Sequence, residues 1–85
     1  MDNIISTDQT YLDRITINPK VLVGKPTIRG MRISVEQILN LLSHGMTHKE
    51  ILEEFPVLQE EDIRAALQYA YNILSSERIY LVEQV

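Results

Sequence analysis

The chain has 85 residues, of which 45% are apolar and 24% are charged, and its net charge is −4. This length suits one small domain, and the absence of cysteine excludes disulfides and thiolate metal ligands. No stretch approaches the roughly 20 apolar residues of a membrane span, and the first residues do not resemble a signal peptide, so we expect a cytoplasmic location and no membrane contact.

The charges are distributed unevenly along the chain. Residues 14–32 carry five cations and no acid, whereas residues 33–85 carry three cations and nine acids. Such an asymmetry is typical of a surface that is simply solvated, and it also fits a basic segment that recognises an anionic partner. Both interpretations stay open on the sequence alone.

The first third of the chain predicts a small β element. Residues 1–13 are mostly polar and predict a flexible N-terminus. Residues 14–18 alternate apolar and polar side chains in the manner of a half-buried strand, which Pro19 ends. Further on, Arg29-Gly30 separates two short runs, residues 27–28 and 31–33, and predicts a tight hairpin in which Gly30 takes a positive φ.

Two helices are predicted from the residues that would cap them. Ser34 followed by Gln37 is typical of a capping box, and Gly45 would end the helix that begins there. Thr47 followed by Glu50 opens a second, short helix, which ends before the next proline.

A third helix is predicted from about residue 60 to residue 76. Its first turn holds three acids, where the helix dipole favours negative charge. The spacing of apolar residues predicts that its inner face consists of Ile63, Ala66, Leu67, Ala70 and Leu74. The predicted core shared by the three helices consists of Leu39, Leu42, Ile51, Phe55, Ile63 and Leu67.

These elements favour a mainly α fold, with a three-helix helix-turn-helix core and a small N-terminal β element in one domain at residues 14–76. A generic three-helix bundle is the alternative. Residues 77–85 remain as a C-terminal strand or partner-binding tail, in which Tyr80 and Leu81 would supply nonpolar anchors.

The sequence predicts no catalytic residues, no metal site and no cofactor. His44 and His48 have the spacing of two zinc ligands on a helix, but Gly45 and Thr47 place a helix boundary between them. The acids at positions 60–62 already suit a helix N-terminus. We therefore expect a binding protein rather than an enzyme, with a small metal-dependent nuclease as the weakest alternative.

The basic segment at residues 24–33 is the more specific candidate for binding. Lys25, Arg29 and Arg32 lie among two glycines and a proline, which would hold the cations in a fixed geometry suited to phosphate or carboxylate groups. The structural alternative is that Arg29 or Arg32 pairs with acids of the helical body.

The third helix is the usual route to DNA in a helix-turn-helix protein. Arg64 and Gln68 can read base edges and are minor candidates for binding. The acids of the first turn argue against this route, because most non-specific DNA affinity is electrostatic. The predicted outward positions of this helix are Glu61, Arg64, Ala65, Gln68 and Asn72.

The chain has more apolar side chains than one three-helix core can enclose. A homodimer would bury the surplus, and we expect one. The residues left over are Leu41, Tyr69, Tyr71, Ile73, Tyr80 and Val82.

The basic segment and the helices together resemble a known family. The run Gly24-Lys25-Pro26-x-Ile28-Arg29-Gly30-x-Arg32 is similar to the signature of the bacterial and archaeal "domain of unknown function 433" family, and so are Gly45-Met46-Thr47 and Phe55-Pro56-x-Leu58. The resemblance covers roughly residues 14–74. Met31 stands where that family usually has threonine, and Gln59 stands where a serine or threonine cap is usual.

The resemblance implies a homeodomain-like helix-turn-helix fold. It also implies an antitoxin of a type II toxin–antitoxin pair, which neutralises a PIN-like nuclease toxin and would also repress its own operon by binding operator DNA. A stand-alone DNA-binding regulator is the alternative function. In the antitoxin role, Arg29 or Arg32 would approach the nuclease carboxylates, while Tyr80 and Leu81 would add nonpolar contact.

Overall fold

A computed structural model describes residues 11–77. The chain runs through strand β1 (Ile15–Ile17), a 3₁₀ turn (Leu22–Gly24), strand β2 (Pro26–Ile28) and helices α1 (Val35–Ser43), α2 (His48–Glu54) and α3 (Glu60–Glu77). The predicted mainly α class, with a three-helix core and a small N-terminal β element, is confirmed. Residues 1–10 of the predicted flexible N-terminus and residues 78–85, with Tyr80 and Leu81, lie outside the described residues.

The sheet has two antiparallel strands, β1 and β2. Ile15 lies opposite Ile28, and Thr16 lies opposite Thr27. Two strands of three residues have little stability alone, but one face of this sheet packs on the helices: Ile28 is fully buried and Ile15 packs against the core. The sheet therefore depends on the helices beneath it.

The predicted tight turn at Arg29-Gly30 is present, but the regular hairpin around it is not. Arg29 has φ +47° and Gly30 has φ +76°, and the Met31 N–H donates a 2.8 Å hydrogen bond to the Ile28 carbonyl oxygen. Beyond the turn, the returning chain makes only an isolated bridge between Thr27 and Ser34. The regular partner of β2 is β1, because β2 gains more pairing there.

Helices α1 and α2 both begin at the predicted N-cap residues, and the reciprocal capping box is found at Thr47. The Ser34 hydroxyl accepts a 2.9 Å hydrogen bond from the Gln37 N–H, and Gly45 follows α1 with φ +95°. At the start of α2, the Thr47 hydroxyl accepts from the Glu50 N–H, and the Glu50 carboxylate accepts from the Thr47 N–H. These local bonds fix where α1 ends and α2 begins.

The core lies where the three helices meet β2. Of the predicted core, Ile51 and Ile63 are buried, and Leu39, Leu42 and Phe55 pack against the buried cluster. Leu67 is wrong as a core residue, because 42% of it is exposed. The buried hydrophobic residues are Ile28, Val35, Ile38, Ile51, Leu58, Ile63, Ala65 and Ala66.

The buried face of α3 is rotated from the predicted one. Ile63 and Ala66 lie inward as predicted, but Leu74 is 58% exposed, and Ala65, predicted to face outward, is fully buried. The acid Asp62 is fully buried as well. Positions 62, 65 and 69 share one side of a helix. The buried face of α3 is therefore the one that includes the Asp62 carboxylate, and Leu67 and Leu74 lie outside it.

Candidate functional site

The buried carboxylate of Asp62 on α3 accepts hydrogen bonds from two guanidinium groups. One of these groups belongs to the turn after β2, so the bonds hold that turn against α3. Asp62 Oδ1 accepts hydrogen bonds from Arg14 Nη1 at 2.9 Å and from Arg29 Nε at 3.0 Å. Asp62 Oδ2 accepts from Arg29 Nη2 at 2.8 Å and from the Gln59 N–H at 2.8 Å. Arg29 Nη2 also donates to the Val57 carbonyl oxygen at 2.9 Å. We call Arg14, Arg29 and Asp62 the clamp.

The clamp keeps Asp62 ionised. Burial opposes the charged form, but the hydrogen bonds from Arg29, from the Gln59 N–H and from Arg14 outweigh it, so the pKa of Asp62 lies below its ordinary value. The hydrogen bonds and the negative charge of Asp62 raise the pKa of Arg29. Each carboxylate oxygen accepts two hydrogen bonds, which offsets the cost of removing the charge from water.

The clamp therefore gives Arg29 a partner inside the molecule. The structural alternative considered from the sequence, that Arg29 pairs with an acid of the helical body, describes the observed geometry. Its side chain is still 36% exposed, but its donors already contact Asp62 and Val57. The role of Arg29 in partner binding stays a prediction, and a partner would have to compete with these bonds.

The other cations of the basic segment are more accessible. Lys25 donates to Glu36 at 2.9 Å in a solvent-exposed pair, and such pairs contribute little stability. Arg32 is exposed and makes no ion pair among the described residues. Among the described residues, Arg32 is therefore the cation of this segment that a partner can reach with the least rearrangement.

The helix-turn-helix surface is dominated by acids. Glu60 accepts a 2.8 Å hydrogen bond from His48, which lowers the pKa of Glu60, and Arg64 lies 3.5 Å from the same carboxylate. Gln68 donates to Asn72 on the next turn of α3. The two minor candidates, Arg64 and Gln68, thus have partners on their own helix. Further exposed acids on this surface are Glu50, Glu53, Glu54 and Glu61.

An apolar groove lies between α1 and the second half of α3. Its volume is about 370 Å³. We call this cavity the groove. Its lining is almost entirely apolar and consists of Pro26, Val35, Leu39, Tyr69, Ala70, Ile73 and Leu74, with Glu36 at the edge. Lys25 lines an adjoining polar depression that shares Glu36 and Leu39 with it. An apolar groove beside a cation suits a nonpolar segment of another protein.

The sequence offered an ion pair between Arg29 and the helical body as an alternative, but it identified neither Asp62 as the acid nor Arg14 as the second cation, and it gave no indication of the groove. The signal for the clamp was the run of five cations without an acid, because some of those cations need a counter-ion from elsewhere in a small domain. The adjacent small residues Ala65 and Ala66 were a second signal, since they permit close approach of the β element. The groove has no local signature, because it depends on how α1 and α3 pack.

Residues 11–77 contain no group of three or more His, Cys, Asp or Glu side chains placed to hold a metal ion. No helix in that part of the chain is long and apolar enough to cross a membrane.

The chain is similar to proteins whose functions are unknown. A family model described as "Protein of unknown function (DUF433)" matches residues 15–70. The uncharacterized protein y4eO of Sinorhizobium fredii is 36% identical over 56 residues, which are 66% of this chain and 25% of that protein. The chain thus spans about a quarter of the length of that relative.

A solved structure has a similar fold. The crystal structure of a DUF433 member protein from Anabaena variabilis matches with a TM-score of 0.70 and 31% sequence identity. The match covers 88% of this chain and 74% of that one.

Proposed function

The chain belongs to the DUF433 family of proteins of unknown function, and we propose that it is the antitoxin of a type II toxin–antitoxin pair, which binds and silences a PIN-like ribonuclease. In this role the chain is a binding protein and carries out no reaction itself. The toxin is its main partner, and operator DNA is a second partner if it also represses its operon.

The groove is the observation that carries this proposal. Leu39 of α1 and Tyr69 of α3 both line it, and Ala70, also in the lining, has a small side chain that leaves space for an incoming one. An apolar helix or extended segment of a partner would bury nonpolar surface there, which is the main driving force in most protein association. Arg32 and Lys25 would add attraction to an acidic nuclease, acting mainly on the rate of association.

Charge supports a protein partner over DNA. The helix that would enter the major groove begins with Glu60 and Glu61, and the cation nearest to them, Arg64, lies against Glu60. Phosphate contacts supply most of the affinity of non-specific DNA binding. A stand-alone DNA-binding regulator remains the second candidate, because the helix-turn-helix arrangement favours it, and Arg64 and Gln68 would be its base-reading residues.

The proposal requires a PIN-like nuclease encoded next to this gene, and the test is co-expression with that nuclease. Ala70→Arg places a long charged side chain in the groove, and we expect the toxin Kd to rise by about a hundredfold, or about 2.7 kcal/mol. Growth rescue should fall with it. Val57→Arg makes the same charge change at an exposed apolar residue outside the groove and should rescue like the wild type.

Two outcomes would contradict this proposal at different levels. If the wild type neither binds nor rescues from the nuclease, the antitoxin function is wrong. If the wild type rescues and Ala70→Arg rescues equally while its toxin Kd is unchanged, the function stands but the groove is not the contact.

A further inference from the structure

A second apolar surface lies on α3 beside the groove. Leu67, Tyr71 and Leu74 are 42%, 64% and 58% exposed, although each has a large nonpolar side chain. They are spaced by four and then three residues, so they form one stripe along the helix. We call these three residues the α3 stripe.

The stripe lies in a part of α3 that carries no charge. Residues 65–76 contain no Asp, Glu, Lys or Arg, whereas the first turn of the same helix holds three acids. Solvent-exposed helix faces normally carry charged residues. A helix face that is uncharged and apolar over three turns favours contact with another uncharged, apolar surface.

We propose that the α3 stripe is the docking site for a second copy of this chain, with the two α3 helices antiparallel about a twofold axis next to Tyr71. The spacing of four and three residues is that of successive core positions of a coiled coil. In the antiparallel arrangement Leu67 of one copy faces Leu74 of the other. The stripe is therefore complementary to itself, as a twofold interface requires.

The charges of α3 select the antiparallel arrangement. In a parallel pair, Glu60 and Glu61 of the two copies would lie side by side at the same end, together with the positive ends of both helix dipoles. In the antiparallel pair the two acidic first turns lie at opposite ends of the interface. The uncharged residues 65–76 of one copy then meet the same residues of the other.

This surface is separate in function from the groove. The groove opens between α1 and α3 and includes Ala70 and Tyr69. Leu67 and Tyr71 instead line a different depression, together with Tyr11 and Arg64. Leu74 borders both surfaces. Leu67 and Tyr71 are not part of the groove lining, and the self-association does not depend on the identity of the partner that the groove binds.

The experiment uses the purified full-length chain without toxin. Sedimentation velocity over a concentration series should show a dimer for the wild type. Tyr71→Glu places two like charges across the axis and should weaken the dimer by about a hundredfold or more, while its thermal melt shows that it remains folded. Val57→Glu introduces the same charge at an exposed apolar residue outside the α3 stripe, before α3 begins, and should leave the dimer unchanged.

Disulfide trapping tests the relative orientation of the two α3 helices. The chain has no native cysteine, so each introduced cysteine can pair only with another introduced one. Tyr71→Cys should form a disulfide-linked dimer on mild oxidation, since residues at the axis come within bonding distance. Leu67→Cys mixed with Leu74→Cys should form the linked heterodimer more efficiently than either variant forms a homodimer. Val57→Cys is the control for random collision.

The outcomes are decisive in both directions. A wild-type chain that stays monomeric up to about 100 μM, a concentration at which dimers of micromolar affinity are formed, would overturn the proposal. A dimer that Tyr71→Glu leaves intact, or one in which Leu67→Cys and Leu74→Cys each link only with themselves, would overturn it as well. None of these results bears on whether the monomer binds the toxin.

Discussion

Asp62 is the residue on which the position of the β element depends. Its carboxylate is fully buried at the start of α3, and its two guanidinium partners, Arg14 and Arg29, come from the end of the N-terminal segment and from the turn after β2. A buried charge of this kind is stable only while it is paired and hydrogen-bonded. The clamp thus joins the N-terminal segment, the turn after β2 and the start of α3 through one carboxylate.

Removing the charge of Asp62 should destabilise the fold. In Asp62→Asn the amide cannot accept all of the hydrogen bonds that Arg14, Arg29 and Gln59 donate, and both cations lose their counter-ion. We expect a loss of about 3 kcal/mol, the lower end of the range for breaking a buried pair, since the arginine side chains remain 28% and 36% exposed. Urea denaturation at neutral pH measures this loss.

The stability lost in Asp62→Asn should also depend on pH. Because the pKa of Asp62 is lowered from its ordinary value of 3.8, its contribution is fully present above that pH and is lost as the pH falls through the lower native pKa. The stability difference between wild type and Asp62→Asn should therefore shrink on acidification below about pH 4. Glu61→Gln, an exposed neighbour, should change stability little; a pH-independent difference for Asp62→Asn would refute the clamp.

At the scale of elements, the rotation of α3 is the main departure from the sequence pattern. Hydrophobic spacing favours an inner face through Leu67 and Leu74, but the helix buries Asp62 and Ala65 instead. The ion pairs of the clamp and the small size of Ala65 allow β1 to approach this side of α3. The displaced leucines then lie on the surface, where they form part of the α3 stripe.

Two truncations test this rotation. Ile63→Ala removes a fully buried side chain and should cost about 2–5 kcal/mol. Leu67→Ala, measured in dilute protein where a dimer is dissociated, should cost less than half of that because the side chain is largely hydrated. Equal losses in the two denaturation curves would place Leu67 back in the core and contradict the observed face.

At the scale of the whole molecule, the cations of residues 14–32 are divided between two roles. Arg14 and Arg29 stabilise the fold through Asp62, whereas Arg32 remains on the surface. The net charge of −4 and the acidic helix-turn-helix surface make the molecule a weak match for DNA. A partner that presents apolar surface beside an acidic site fits the remaining features better.

Alanine variants of the two arginines should separate these roles. Arg29→Ala should lower the stability of the free chain, and its effect on growth rescue should follow that loss. Arg32→Ala should leave the melting temperature unchanged but slow toxin association, most clearly at low salt. Stopped-flow binding with a parallel thermal melt distinguishes them; an Arg32→Ala variant with wild-type association rates would remove that residue from the contact.

The features that could be predicted from the sequence are those produced by residues close together in the chain. The N-cap at Ser34, the capping box at Thr47, the end of α1 at Gly45 and the turn at Arg29-Gly30 each depend on bonds between residues at most five positions apart. Residues this close in the chain come into contact whenever the local element forms, so their contacts can be predicted from the sequence.

Only the three-dimensional packing shows which strand pairs with β2, which face of α3 is buried, where the groove lies and which acid pairs with Arg29. Asp62 lies 48 residues from Arg14 and 33 from Arg29, and no local rule states which acid a distant cation will meet. The groove likewise exists only because α1 and α3 pack against each other. Such contacts are selected by the packing and charge balance of the whole domain, which leave no periodic signal in the sequence.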